Sequence, residues 1–187
     1  MLIQSTKIPG AYIVRREPRT DERGSFARVF CKRELEAAGL CADIAQVNMS
    51  DNRVRGTLRG LHAQIGEAAE DKLVGCMSGA IFDVCVDTRE DSPTYTQWVG
   101  EKLSAENGVM LYVPKGCAHG YLTLTGGAGV LYLVTQFHTP DAEIGYRWDD
   151  PAFGIVWPLP PPYVMSERDK TLPLLSCGMK GKGNRKE

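Results

Sequence analysis

Ten short strand-like runs, separated by turn residues, leave this chain little room for helix. They read as strands at 11–14, 25–30, 45–50, 56–61, 72–77, 80–87, 96–101, 108–113, 120–124 and 129–137. Many short strands at regular spacing predict an antiparallel sandwich or barrel. The runs AIFDVCVD (80–87) and GVLYLVTQF (129–137) carry the β-branched and aromatic content that packs well on a pleated sheet. A single short helix is expected at 32–38, with Gly39 as its stop signal. The segment PLPPPY (158–163) cannot donate to a central ladder and reads as an extended surface stretch.

Size and charge narrow the rest. A chain of 187 residues is the length of one domain, expected over 1–177. The last ten residues carry Lys180, Lys182, Arg185 and Lys186 against Glu187, a basic tail expected to be disordered. With 22 Lys+Arg against 23 Asp+Glu the chain has no broad positive field, which argues against a nucleic-acid partner. No stretch approaches the ~20 apolar residues of a membrane span, and the N-terminus lacks an export signal, so a cytoplasmic protein is expected. The six cysteines are scattered, without a C-x-x-C pair, and read as mostly buried thiols rather than a disulfide framework.

Three histidines concentrate the possible chemistry: His62 in TLRGLHAQ, His119 in VPKGCAHGY and His138 in TQFHTPDAE. The pattern Pro114-x-Gly116-x-x-His119 at the start of a strand resembles the second motif of the cupin jelly roll, in which the histidine points into the barrel. Metal-binding cupins place two histidines two residues apart on one strand, sharing a face. Here the partner position of His62 is Gln64. A metal site normally wants three protein ligands, so neither metal nor other cofactor is expected.

A wider match then emerges. The stretches DERGSFARVF, QVNMSDNRVRGTLRGLHAQ, DVCVDTREDSPTY, GVLYLVTQFHTPDAEIGYRWDD and MSERDKTLP resemble the dTDP-4-dehydrorhamnose 3,5-epimerase family, in family order. The resemblance implies an all-β cupin-type double-stranded β-helix (jelly roll) with a few short helices. It also implies epimerisation of a nucleotide-linked 4-keto-6-deoxyhexose, whose carbonyl acidifies the hydrogens at C3 and C5. By the same resemblance His62 is the base, an imidazole able to accept a carbon-bound proton near neutral pH. Asp169 pairs with it, Tyr132 is the opposing acid, and Lys72 stabilises charge on the sugar 4-oxygen. Asp83 and His119 form a second inward pair. Arg23 and Arg59 match diphosphate contacts, for which the guanidinium fork is suited; Phe26, Gln46, Asn48 and Glu143 match nucleotide-side or sugar-side contacts. Some of these come from a neighbouring subunit in the family, so a homodimer exchanging N-terminal strands is implied.

Three positions depart from the family pattern: Arg28 stands where Glu is usual, His138 where a second Tyr is usual, and Ala63 where an aromatic is usual. Thymine offers a donor at N3 that suits Glu, whereas cytosine offers an acceptor that suits Arg28, which raises CDP as an alternative to dTDP. His138 and Ala63 raise single-site epimerisation, at C3 only or C5 only, or a bulkier sugar. The competing readings are a nucleotide-sugar 3,4-ketoisomerase, a metal-dependent cupin enzyme and a catalytically idle sugar-nucleotide binder.

Overall fold

A computed structural model describes residues 1–175; the basic tail and Cys177 lie outside the described residues. Two antiparallel sheets face each other. One contains six strands in the order β1 (Leu2–Ser5), β2 (Tyr12–Arg15), β10 (Val109–Val113), β7 (Lys72–Ser78), β12 (Ala128–Val134) and β5 (Gln46–Asn52). The other contains five: β13 (Glu143–Gly145), β6 (Leu58–Gln64), β11 (Cys117–Thr123), β8 (Ala80–Asp87) and β9 (Trp98–Ser104). A separate hairpin pairs β3 (Arg19–Asp21) with β4 (Gly24–Phe26). This is the architecture of the cupin jelly roll, with two short α-helices among the described residues, α1 (Lys32–Ala37) and α2 (Glu167–Lys170).

Burial on both faces explains why several strands read as continuous apolar runs rather than alternating ones. Between the sheets, at the closed end, lie Val74, Cys76, Ile81, Cys85, Leu111 and Val130. The outer face of the larger sheet packs Val14, Leu73, Met110 and Leu133 against Leu35 and Leu40 beside α1. The outer face of the smaller sheet packs Leu61, Ala63, Val84 and Val86 under Phe153 and Leu175 of the C-terminal segment. The five described cysteines are all free, and Cys76, Cys85 and Cys117 are buried.

The expected run 80–87 coincides with β8, and α1 ends as anticipated. Gly39 has φ +76°; its N–H reaches Glu36 O at 2.9 Å and that of Leu40 reaches Leu35 O at 3.0 Å. That double closure is a Schellman motif, with Leu35 and Leu40 in apolar contact beneath it. Other boundaries shift. The expected strand at 25–30 stops at Phe26, because Val29 and Phe30 turn to pack beside α1 instead of pairing. The expected strand at 129–137 stops at Val134, where Asp71 draws the chain away: the Asp71 N–H donates to Thr135 Oγ1 at 2.8 Å.

Candidate active site

The open end of the space between the sheets is a cavity of about 800 Å³, within the size range of small-molecule sites. His62, Arg59, His119 and Tyr121 reach it from the smaller sheet, and Lys72, Tyr132, Gln46 and Asn48 from the larger.

A bulge in β6 makes this possible. Strict alternation would send residues 59 and 62, three apart, to opposite faces. The ladder with β11 aligns His62 with His119 but Arg59 with Tyr121, so three steps on β6 answer two on β11 and the side-chain phase resets. Arg59 and His62 therefore both line the cavity. Gly60 sits within the bulge at φ +120°, and a Cβ there would lie 2.6 Å from the Gly120 Cα and 2.8 Å from the His119 carbonyl oxygen. Only glycine fits.

The same bulge turns the Gly60 N–H toward Asp169, whose Oδ2 accepts it at 3.3 Å, while Asp169 Oδ1 accepts from His62 Nε2 at 2.7 Å. Asp169 is held from below by α2: its own N–H donates to the N-cap Ser166 Oγ at 3.1 Å. Burial opposes ionisation of Asp169, but the His62 and Gly60 bonds and the Ser166 contact outweigh it and hold the carboxyl below its ordinary value. Asp169 thus stays a carboxylate. With the Nε2 hydrogen engaged, the neutral imidazole carries its lone pair on Nδ1.

Tyr132 faces this pair from β12. Burial is the main reason its phenol is pushed far above the usual tyrosine value, so it remains protonated across the working range. Its ring meets His119 edge to face, with centroids 6.2 Å apart. His119 Nε2 in turn is hydrogen-bonded to Asp83 Oδ1 at 2.8 Å. Asp83 is fully buried, its Oδ2 has no partner among the described residues, and desolvation pushes its carboxyl up despite His119. Lys72 lies across from them, its Nζ 3.2 Å from Glu70 Oε1, with both side chains largely covered.

The cavity thus gathers His62, Asp169, Tyr132, Lys72, Arg59, Gln46, Asn48, His119 and His138. Four expected residues stand elsewhere in the single chain. Arg23 and Phe26 are exposed on the β3–β4 hairpin, Arg23 paired with Asp21 at 2.5 Å. Arg28 donates to Glu34 Oε1 at 2.6 Å, and Glu34 also holds the N-terminal ammonium, which together bring its carboxyl down to about 2. Glu143 pairs with Arg168, a cavity residue, at 3.0 Å. Ala63, expected to shape the site, points to the opposite face of β6 and packs with Leu61 and Phe153; the alternation after the bulge leaves it no path inward. Gln64 spends its amide on loop carbonyls of Ala68 and Phe137 and accepts the Thr139 N–H at 2.6 Å.

Residues outside the expected set also belong to the site: Ser50 and Asn52, which stand behind the cavity bonded to Tyr121, and Tyr121 and Arg168, which line it. The first two had a visible signal. In QVNMSDN every second residue is polar, with Val47 and Met49 between, so the strand carries its polar face inward and its apolar face outward.

A family profile described as dTDP-4-dehydrorhamnose 3,5-epimerase matches residues 5–176. The chain is 42% identical over 175 residues to an enzyme named dTDP-4-dehydrorhamnose 3,5-epimerase from Sinorhizobium fredii, covering 94% of this chain and 90% of that one. Among solved structures it is similar to an epimerase from Legionella pneumophila in complex with dTDP-4-keto-L-rhamnose, with TM-score 0.88 and 38% identity over 94% of this chain and 93% of that one. It is also similar to ChmJ, a 3'-monoepimerase from Streptomyces bikiniensis in complex with dTDP-quinovose, with TM-score 0.86 and 32% identity over 92% and 87%.

Proposed function

The chain belongs to the dTDP-4-dehydrorhamnose 3,5-epimerase family and is an isomerase acting on carbohydrates; from that premise we propose that it inverts C3 and C5 of a dTDP-linked 4-keto-6-deoxyhexose in deoxysugar biosynthesis. One observation carries the reading: a carboxylate-held imidazole from one sheet and a buried, protonated phenol from the other share one cavity. Inversion beside a ketone needs a base on one face of the ring and an acid on the other.

In this mechanism His62 Nδ1 takes the proton from the ring carbon, and the C–H electron pair moves into an enolate. Asp169 fixes the ring orientation and stabilises the imidazolium that forms. Lys72 offsets the charge that develops on the 4-oxygen. Tyr132 then delivers its proton to the same carbon from the opposite face. Arg59 supplies a fork for the diphosphate. Imidazolium and phenolate are reset through solvent, and the sequence repeats at the second carbon.

For the nucleotide, dTDP is supported by the names of the relatives and by Arg28, whose guanidinium is engaged with Glu34 in its own chain rather than free for a base. We further propose a homodimer. The exposed Val47 and Met49 on edge strand β5, together with Phe26 on the hairpin, supply apolar surface for a second copy.

Incubation of the substrate in heavy water, followed by NMR, tests the activity. Deuterium and inversion at both C3 and C5 are expected. Inversion at one carbon alone would make the enzyme a monoepimerase like ChmJ. A displaced carbonyl would make it a ketoisomerase, and no exchange with tight binding an idle binder. Faster turnover of the CDP-linked sugar would overturn the dTDP assignment.

A further inference from the structure

Behind Tyr132 three side chains that the proposed mechanism does not use, Ser50, Tyr121 and Asn52, form a hydrogen-bonded chain that ends at Arg59. Ser50 Oγ lies 3.2 Å from the Tyr132 hydroxyl and 2.8 Å from the Tyr121 hydroxyl. The Tyr121 hydroxyl lies 3.2 Å from Asn52 Oδ1, which also accepts from Arg59 Nε at 2.9 Å. Asn52 Nδ2 donates to the Ala128 carbonyl at 2.9 Å. Its residue is almost fully buried.

The direction of every bond in this chain follows from its far end. Arginine can only donate and a backbone carbonyl can only accept, so the Asn52 amide has one possible orientation, Oδ1 toward Arg59. The Tyr121 hydroxyl meets that same Oδ1 and must donate to it. Its hydrogen being spent, Tyr121 accepts from Ser50. Ser50, donating there, can only accept from Tyr132. In the free enzyme the Tyr132 hydrogen therefore points at Ser50, along the chain and not into the cavity.

We propose that Ser50 is the positioning residue for the acid Tyr132: its hydroxyl turns from Tyr121 to Tyr132 during turnover, freeing the Tyr132 hydrogen to face the ring carbon and then donating to the phenolate left behind. The proposal rests on the reading of Tyr132 as the acid. The step balances. The Tyr132 O–H bond breaks as the C–H bond forms, the electron pair stays on the phenol oxygen, and Ser50 keeps its own proton while changing the partner it donates to. The side chain can make this turn because its oxygen keeps another donor to accept from, Asn52 Nδ2 at 3.4 Å. No heavy atom need move.

The test separates proton removal, which is the work of His62, from proton delivery. Heavy-water exchange and inversion are followed together in wild type, S50A, S50T and Y132F. In S50A inversion is expected to fall about tenfold, with KM within about twofold, while exchange with retained configuration persists, so the exchange-to-inversion ratio rises. S50T keeps the hydroxyl and should restore the ratio. A merely structural role would lower exchange and inversion together and leave the ratio at the wild-type value, which overturns the proposal. Should S50A fold poorly, Y121F gives the second reading. Removing the hydroxyl that Ser50 leans on leaves the ring packing and should alter the same ratio, and an unaltered ratio there counts against the idea equally. Y132F keeps the two readings apart. If it inverts normally, the acid assignment itself has failed; if it abolishes inversion while S50A and Y121F behave as wild type, only the role of Ser50 has failed.

Discussion

Asp169 does two jobs with one carboxylate: it orients His62, and it ties α2 to the bulge through the Gly60 N–H. Replacing it with Asn should therefore affect both activity and acid stability. D169N is expected to lower kcat about 100- to 10,000-fold, the usual weight of an oriented acid–base group, with little change in KM. The Asp169 carboxyl titrates lower in the fold than in the unfolded chain, where its value is near ~3.9. Its stabilising contribution is thus complete above that value and lost as the pH falls through the depressed folded one. Urea denaturation of wild type from pH 6 down to pH 3 should show a decline that is shallower in D169N; parallel curves would refute the linkage. His62, Asp169, Tyr132 and Lys72 were legible as a set because each sits in a distinctive local motif. The alternation of QVNMSDN shows which face of β5 Ser50 and Asn52 share, but their roles and that of Tyr121 were not legible, because a serine, an asparagine and a tyrosine on strands acquire them only from the groups facing them across the sheets.

Two glycines with positive φ make contrasting predictions for the elements they serve. At Gly39, which closes α1, an added Cβ meets nothing within 4 Å, so only the left-handed backbone is at stake. Gly39→Ala should cost about 1 kcal/mol and leave activity intact. At Gly60 the added Cβ collides with the backbone of β11, so Gly60→Ala should cost about 2–5 kcal/mol through strain and overpacking. It should also abolish activity by moving Arg59 and His62 out of phase. Equal denaturation midpoints for the two variants would sink the argument. The bulge itself was not readable. Its signal, a glycine in the middle of TLRGLHAQ, serves equally for a turn or a plain weak strand, and the choice depends on how closely Gly120 approaches. The four-residue α2 was missed for a related reason, since it is too short to show a helical period.

At the scale of the molecule, the outward face of β5 is left without cover among the described residues: Val47 and Met49 are 60% and 64% exposed on an edge strand. Sedimentation of the wild type at micromolar concentration should give twice the chain mass, and V47E/M49E should give the monomer; a monomeric wild type would dismiss the interface. The order and type of most strands, the stop of α1 and the family of the chain were determined by the sequence alone. Residue periodicity, turn chemistry and motif spacing are local properties that survive without coordinates. The tertiary structure alone decided that residues 59 and 62 share a face, that Ala63 looks away from the cavity and that three unremarked side chains stand behind Tyr132 in one hydrogen-bonded line. Each of these depends on the register between strands distant in sequence, and a one-residue slip in register exchanges every inward side chain for an outward one.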